Sequence, residues 1–118
     1  MGMPTENQAI YFTARERAEL KSEPLPALGE RDVRVRATWT LISTGTETRY
    51  YGQCFEEQSG RKVKYPNRAG YCFAGVVEAV GKAVKRWKVG DHLVSADAHQ
   101  QYVVTAEDNP ASSAAYMR

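Results

Sequence analysis

Ten residues, 72–81, read CFAGVVEAVG and constrain the fold more than any other stretch. A short apolar run rich in valine fits a buried strand. Its small residues, Ala74 and Gly75, predict the close approach of another backbone or side chain. A basic turn then leads to Val89-Gly90-Asp91 and a second strand over 92–95. After a short polar link a third strand covers 101–105. Gly81 and Gly90 stand where the chain turns, and glycine permits the positive φ such turns often need.

Upstream, residues 8–12 are a short apolar strand. Residues 13–23 are ambiguous: Ala, Arg, Glu and Leu favour helix, yet Ala18, Leu20 and Ser22 alternate with charges as in an edge strand. Pro24 and Pro26 break regular pairing and impose an extended connection. Residues 32–43 begin as a half-buried strand, with Val33, Val35 and Ala37 on one face and Asp32, Arg34, Arg36 and Thr38 on the other. Alternation fades over 39–42, which predicts burial on both sides there and a strand running inward toward a pocket. Thr44-Gly45-Thr46-Glu47 forms a capping-box pattern, with Thr44 as the cap, and predicts a short helix that Gly52 ends. Residues 53–65 read as a polar surface loop, and Pro66 and Gly70 bracket the entry to the central strand. The tail, 110–118, has little pattern and fits either a short terminal helix or disorder.

One domain fits 118 residues, and a hydrophobic fraction of 42% beside 25% charged residues is that of an ordinary soluble chain. A net charge of +2 gives no argument for nucleic acid or an anionic membrane. The local basic clusters, 61–64 and 82–88, read as solvated turns. No apolar run approaches the roughly 20 residues that span a bilayer. The polar N-terminus lacks the apolar segment of a signal peptide, so a cytoplasmic location is expected. Cys54 and Cys72 have no metal-ligand spacing and read as reduced thiols.

Three pieces then fall in one order: Ala74-Gly75-Val76-Val77-Glu78-Ala79-Val80-Gly81, Val89-Gly90-Asp91-His92-Leu93-Val94 and Tyr102-Val103-Val104. In this order and spacing they resemble the GroES-like N-terminal domain of the medium-chain alcohol dehydrogenase and quinone oxidoreductase superfamily. The resemblance covers about residues 9–109 of a single domain spanning 1–118. It implies a mainly β fold, a partly open barrel with one or two short helices, and for residues 13–23 a turn plus strand of a hairpin.

For chemistry the resemblance implies several departures. Thr44 falls where zinc-dependent members carry a cysteine ligand, and Tyr71 and Cys72 fall on their His-Glu pair. A hydroxyl and a phenol are poor zinc ligands beside thiolate and imidazole, so no metal is expected. His92 and His99 read as surface or hydrogen-bonded histidines, since the sequence pairs neither with a nucleophile or carboxylate. By resemblance to zinc-free members, Thr46 faces a nicotinamide ribose or substrate oxygen, and Tyr51 and Tyr71 line a substrate pocket with Thr44, Glu47 and Cys72. Thr46 and Tyr71 are the candidates for catalysis. The plainer reading, Thr46 and Glu47 as a cap and Tyr71 as a core filler, stands ahead of it. No Gly-x-Gly-x-x-Gly cofactor cradle occurs, so no cofactor is expected on the isolated chain, and NAD(P) only if a Rossmann domain is supplied.

The expectation is thus a stand-alone module, not catalytic by itself, binding a small apolar ligand or a protein partner. The alternative is the substrate part of a zinc-free NAD(P)-dependent oxidoreductase partnered by a separate Rossmann domain. A chaperonin-type ring has less support, because no long glycine-rich mobile loop is present. Without a cofactor domain, apolar surface including Trp39, Tyr51 and Tyr71 is expected to stay open, with residues 112–117 near the domain crossing. Self-association, most simply a homodimer, would cover it.

Overall fold

The computed structural model describes residues 3–53 and 62–108. One antiparallel sheet holds β1 (Glu6–Ala14), β2 (Arg17–Pro24) and β4 (Asn67–Arg68), in the order β2-β1-β4. The other holds β3 (Asp32–Thr40), β5 (Phe73–Val80), β6 (His92–Ser95) and β7 (Tyr102–Ala106), in the order β6-β5-β3-β7. One short helix, α1 (Thr46–Gly52), follows β3 in the chain. The two sheets do not close on each other, and the fold is mainly β and partly open, as the resemblance implied. Cys54, most of the polar loop after α1 and the whole tail, including 112–117, lie outside the described residues.

The ambiguous segment after β1 is a turn and a strand. Glu16 takes φ 58° at the turn, and β2 pairs with β1 from Glu6↔Pro24 to Ala14↔Arg17. Cross-strand pairing overrides the helical composition, since propensity is a weak prior against a partnered edge.

The central strand lies where the apolar run placed it. β5 sits between β3 and β6, and Val77, Phe73, Val33, Val35, Leu93 and Val103 form the core with Trp87. Burying each large apolar side chain is worth about 1.5–3 kcal/mol. Gly75 answers the expected close approach: a Cβ there would run into the carbonyl oxygen of Arg36 across the β3–β5 pair. Gly90 turns with φ 97°, but Gly81 is not among the positive-φ residues. Gly81 is needed for space instead, because a Cβ would strike the carbonyls of Gly29 and Glu30.

β3 departs from its expected course. Arg34, read as solvent-facing, is buried, and its Nε donates to Glu78 at 2.7 Å. A register shift between Arg34 and Val35 breaks the simple alternation. The burial expected over 39–42 is also overturned: Trp39 is 76% exposed, and Leu41 and Ile42 are also exposed. β7 pairs with β3 only over Asp32–Arg36, so the far end of β3 runs past its neighbour on that side. The strand is deepest at its beginning and emerges toward its end.

The sheets are joined through residues 99–102. Asn7 donates to Gln100 at 3.1 Å and accepts from the Tyr102 N–H at 3.0 Å.

Candidate functional site

The sequence places a polar turn directly after the exposed end of β3. Glu47 anchors it from the first turn of α1: its N–H donates to the Ser43 carbonyl at 3.0 Å, and its carboxylate accepts from the Ser43 N–H. The capping box is therefore corrected by one position. Gly45 occupies the N-cap without a side-chain cap, and Thr44, exposed, accepts from the Thr48 hydroxyl through its carbonyl. Glu47 binds Ser43 because it lies only two residues after the cap, one short of the capping-box position. The helix ends at Gly52 with Gln53 as a left-handed C-cap.

The second Glu47 oxygen meets His99 Nε2 at 2.6 Å, and both side chains are buried. His99 is thus hydrogen-bonded, as one of the two readings had it, but its partner is a carboxylate that no local pattern pairs with it. Its backbone is equally committed: its N–H donates to Ala69 at 2.8 Å and its carbonyl accepts from Ile10 at 3.1 Å. Its ring covers Gly70, where φ is 95° and a Cβ would overlap the imidazole. One residue thereby ties β1, the entry to β5 and α1 together. The pair is separated by 52 positions, and no local pattern announces it.

Tyr71 follows Gly70 and is 42% exposed, so the core-filler reading does not hold for it. Its hydroxyl donates to Ser43 Oγ at 2.7 Å. The sequence reading missed Ser43, whose only signal was its place beside the cap. With Tyr71 donating to Ser43, the serine proton is free to meet an incoming acceptor. Cys72 is a free, half-buried thiol, and its carbonyl accepts from the Leu41 N–H at 3.1 Å. Thr46 begins α1 and is half-buried. Tyr51, 38% exposed, packs edge-on against Phe12 with ring centroids 5.7 Å apart.

Two clefts flank α1 and share Phe12 and Glu47. One, of about 260 Å³, is bordered by Tyr71, Gly70 and Tyr50. The other, about 280 Å³, is almost wholly apolar and is bordered by Ile10, Ile42, Tyr51 and His99. The structure brings Tyr71, Ser43 and Glu47 to one turn, while Tyr51 borders the second cleft. Among the described residues no three His, Cys, Asp or Glu side chains gather as a metal would require. Tyr71 is directed to Ser43 and His99 to Glu47, so these donors do not fit a zinc site.

The alcohol dehydrogenase GroES-like domain family matches residues 29–114. The chain belongs to that family. It is 40% identical over 82 residues to L-threonine 3-dehydrogenase of Symbiobacterium thermophilum, covering 70% of this chain and 22% of that one. It is 31% identical over 86 residues to the Escherichia coli K12 enzyme of the same name, covering 73% and 24%. The chain thus spans about a quarter or less of these curated relatives. Among solved structures, the quinone oxidoreductase of Pseudomonas syringae superposes with TM-score 0.64 at 25% identity, covering 95% of this chain and 34% of that one. The Escherichia coli quinone oxidoreductase complexed with NADPH gives TM-score 0.64 at 23% identity, covering 94% and 33%, a likeness of fold. No helix among the described residues is long and apolar enough to cross a membrane.

Proposed function

We propose that this GroES-like domain binds a small apolar carbonyl compound and forms the substrate side of a zinc-independent, NAD(P)-linked oxidoreductase, with no turnover of its own. The observation that carries this is the Tyr71–Ser43 hydroxyl pair, 2.7 Å apart, beside the exposed aliphatic and aromatic side chains that follow β3. An apolar wall with a few placed polar groups is the usual make-up of a small-molecule site. A neutral hydroxyl pair can polarise a carbonyl oxygen by hydrogen bonding without needing a metal.

Each residue then has a task. Ser43 donates to the carbonyl oxygen, Tyr71 donates to Ser43 and orients it, and Glu47 holds the Ser43 backbone in place. Leu41 and Ile42, exposed just before Ser43, supply apolar contact. Thr44, Thr46 and Cys72 border the same turn and shape it. Hydride would come from a nicotinamide held by a Rossmann domain, in cis or in trans, for which this chain has no phosphate cradle.

The test is titration of the 118-residue chain with acetophenone, followed by amide NMR. A dissociation constant of about a millimolar is expected for a half-open pocket, with shifts centred on residues 41–47 and 71. Tyr71→Phe should weaken binding about fivefold, the worth of one modest hydrogen bond. Shifts confined to other surfaces, or binding unchanged in both Tyr71→Phe and Ser43→Ala, would reject the assignment.

A further inference from the structure

The hairpin of β1 and β2 precedes the residues matched to the family, and β2 is an edge strand. Which of its backbone groups face outward follows from the bonds of β1. Ile10 directs its N–H to His99 and its carbonyl to Ala69, both away from β2. Ile10 and its partner Leu20 are therefore a non-hydrogen-bonded pair, and Leu20 turns its own N–H and carbonyl outward. Gln8 likewise gives its carbonyl to Gln101, so its partner Ser22 also faces outward. By the strand period Ala18 does the same. Among the described residues no backbone bond engages these three from the open side.

The side chains of this edge carry a second pattern. Residues 17, 19, 21 and 23 are Arg, Glu, Lys and Glu. Charges on an edge strand ordinarily discourage pairing, but in this order one register sets all four against an opposite charge. In an antiparallel pair centred on Leu20, Glu19 of each copy lies opposite Lys21 of the other, and Arg17 lies opposite Glu23. Centring on Lys21 sets Glu19 against Glu23, and centring on Glu19 sets Arg17 against Lys21. A parallel in-register pair sets every charge against its like.

We infer that β2 is a homodimerisation edge, pairing antiparallel with β2 of a second copy about a two-fold axis through Leu20. Backbone and side chains select the same arrangement. Leu20 and its counterpart exchange both backbone bonds, and Ala18 exchanges with Ser22 on either side. Pro24, without an N–H, ends the ladder. On the other face the two Leu20 side chains, 65% exposed in one copy, meet beside Ile10. The central Glu19–Lys21 pairs carry most of the selectivity. Glu23 already holds Arg68 and Tyr11 within its own chain, and Arg17 touches Glu19 at 3.4 Å, so the outer pairs add less.

Sedimentation velocity on the 118-residue chain tests this. A reversible dimer is expected, with a dissociation constant of about ten to a hundred micromolar for so small an interface. Lys21→Glu, an exposed substitution that leaves the fold intact by circular dichroism, sets like charges together twice and should weaken the dimer about tenfold or more. The swap Glu19→Lys with Lys21→Glu should restore it, and Leu41→Ser, on the apolar run away from the groove that Leu20 borders, should leave it unchanged. A wild-type chain that stays monomeric at about a millimolar would overturn the inference. So would a dimer indifferent to Lys21→Glu, or one lost with Leu41→Ser.

Discussion

His99 and Glu47 carry more of the architecture than their types suggest. Both side chains are buried, and removing His99 leaves a buried Glu47 oxygen without its partner. Breaking a buried pair from one side costs about 3–5 kcal/mol. His99→Ala should therefore lower unfolding stability by about 3 kcal/mol in urea titration, with the slope unchanged. A loss within the range of ordinary surface substitutions, about 0.5 kcal/mol, would show that the pair contributes little. The same residue illustrates what local reading misses. His99 sits in a polar link with no regular pattern, and Glu47 looks complete as part of a cap; only folding brings them within 2.6 Å.

At the scale of elements, periodicity located most strands, and the misses have physical causes. Residues 13–23 contain good helix formers, but their alternation was the better guide because β1 offers a partner along the whole segment. β3 misled in two places: a register shift turns Arg34 inward to Glu78, and the strand outruns β7 so that Trp39 emerges. Neither event leaves a mark on local composition. The turn before β6 makes a testable element. Glu107, just after β7, accepts from the backbone N–H groups of Arg86 and Lys85, and these bonds hold its carboxyl below the ordinary value of 4.5. A lowered carboxyl stabilises the fold above the unfolded value and loses that contribution as the pH falls through its folded value. The stability advantage of wild type over Glu107→Gln should thus be constant near neutrality and shrink below about pH 4.5 in acid titrations of unfolding. A difference independent of pH would dismiss these bonds as the cause.

Across the whole molecule, the apolar surface is unevenly distributed. Trp39, Leu41 and Ile42 stand exposed in one short run, while the core valines of β3 are fully covered. Exposed clusters of this kind mark a surface that meets something else. Trp39→Ser should leave unfolding stability within about 0.5 kcal/mol of wild type, since the indole has little buried area to lose. It should also visibly reduce the fluorescence of a bound apolar dye. A large loss of stability instead would mean that Trp39 packs inside the fold in solution. The exposure expected for Trp39, Tyr51 and Tyr71 is present, although local alternation had pointed to burial for Trp39 itself.

The sequence by itself determined the fold class and the family, because both rest on short-range information. Strand periodicity, glycines at turns and close approaches, and the order of three motifs between Ala74 and Val104 all survive in one dimension. Only the tertiary structure decided which groups act together. The Ser43–Tyr71 hydroxyl pair, the buried His99–Glu47 contact and the outward-facing edge of β2 each join segments by bonds whose partners lie far apart or are set by register. Hydrogen bonding demands alignment within a few tenths of an ångström, and that is settled by packing, which periodicity does not encode.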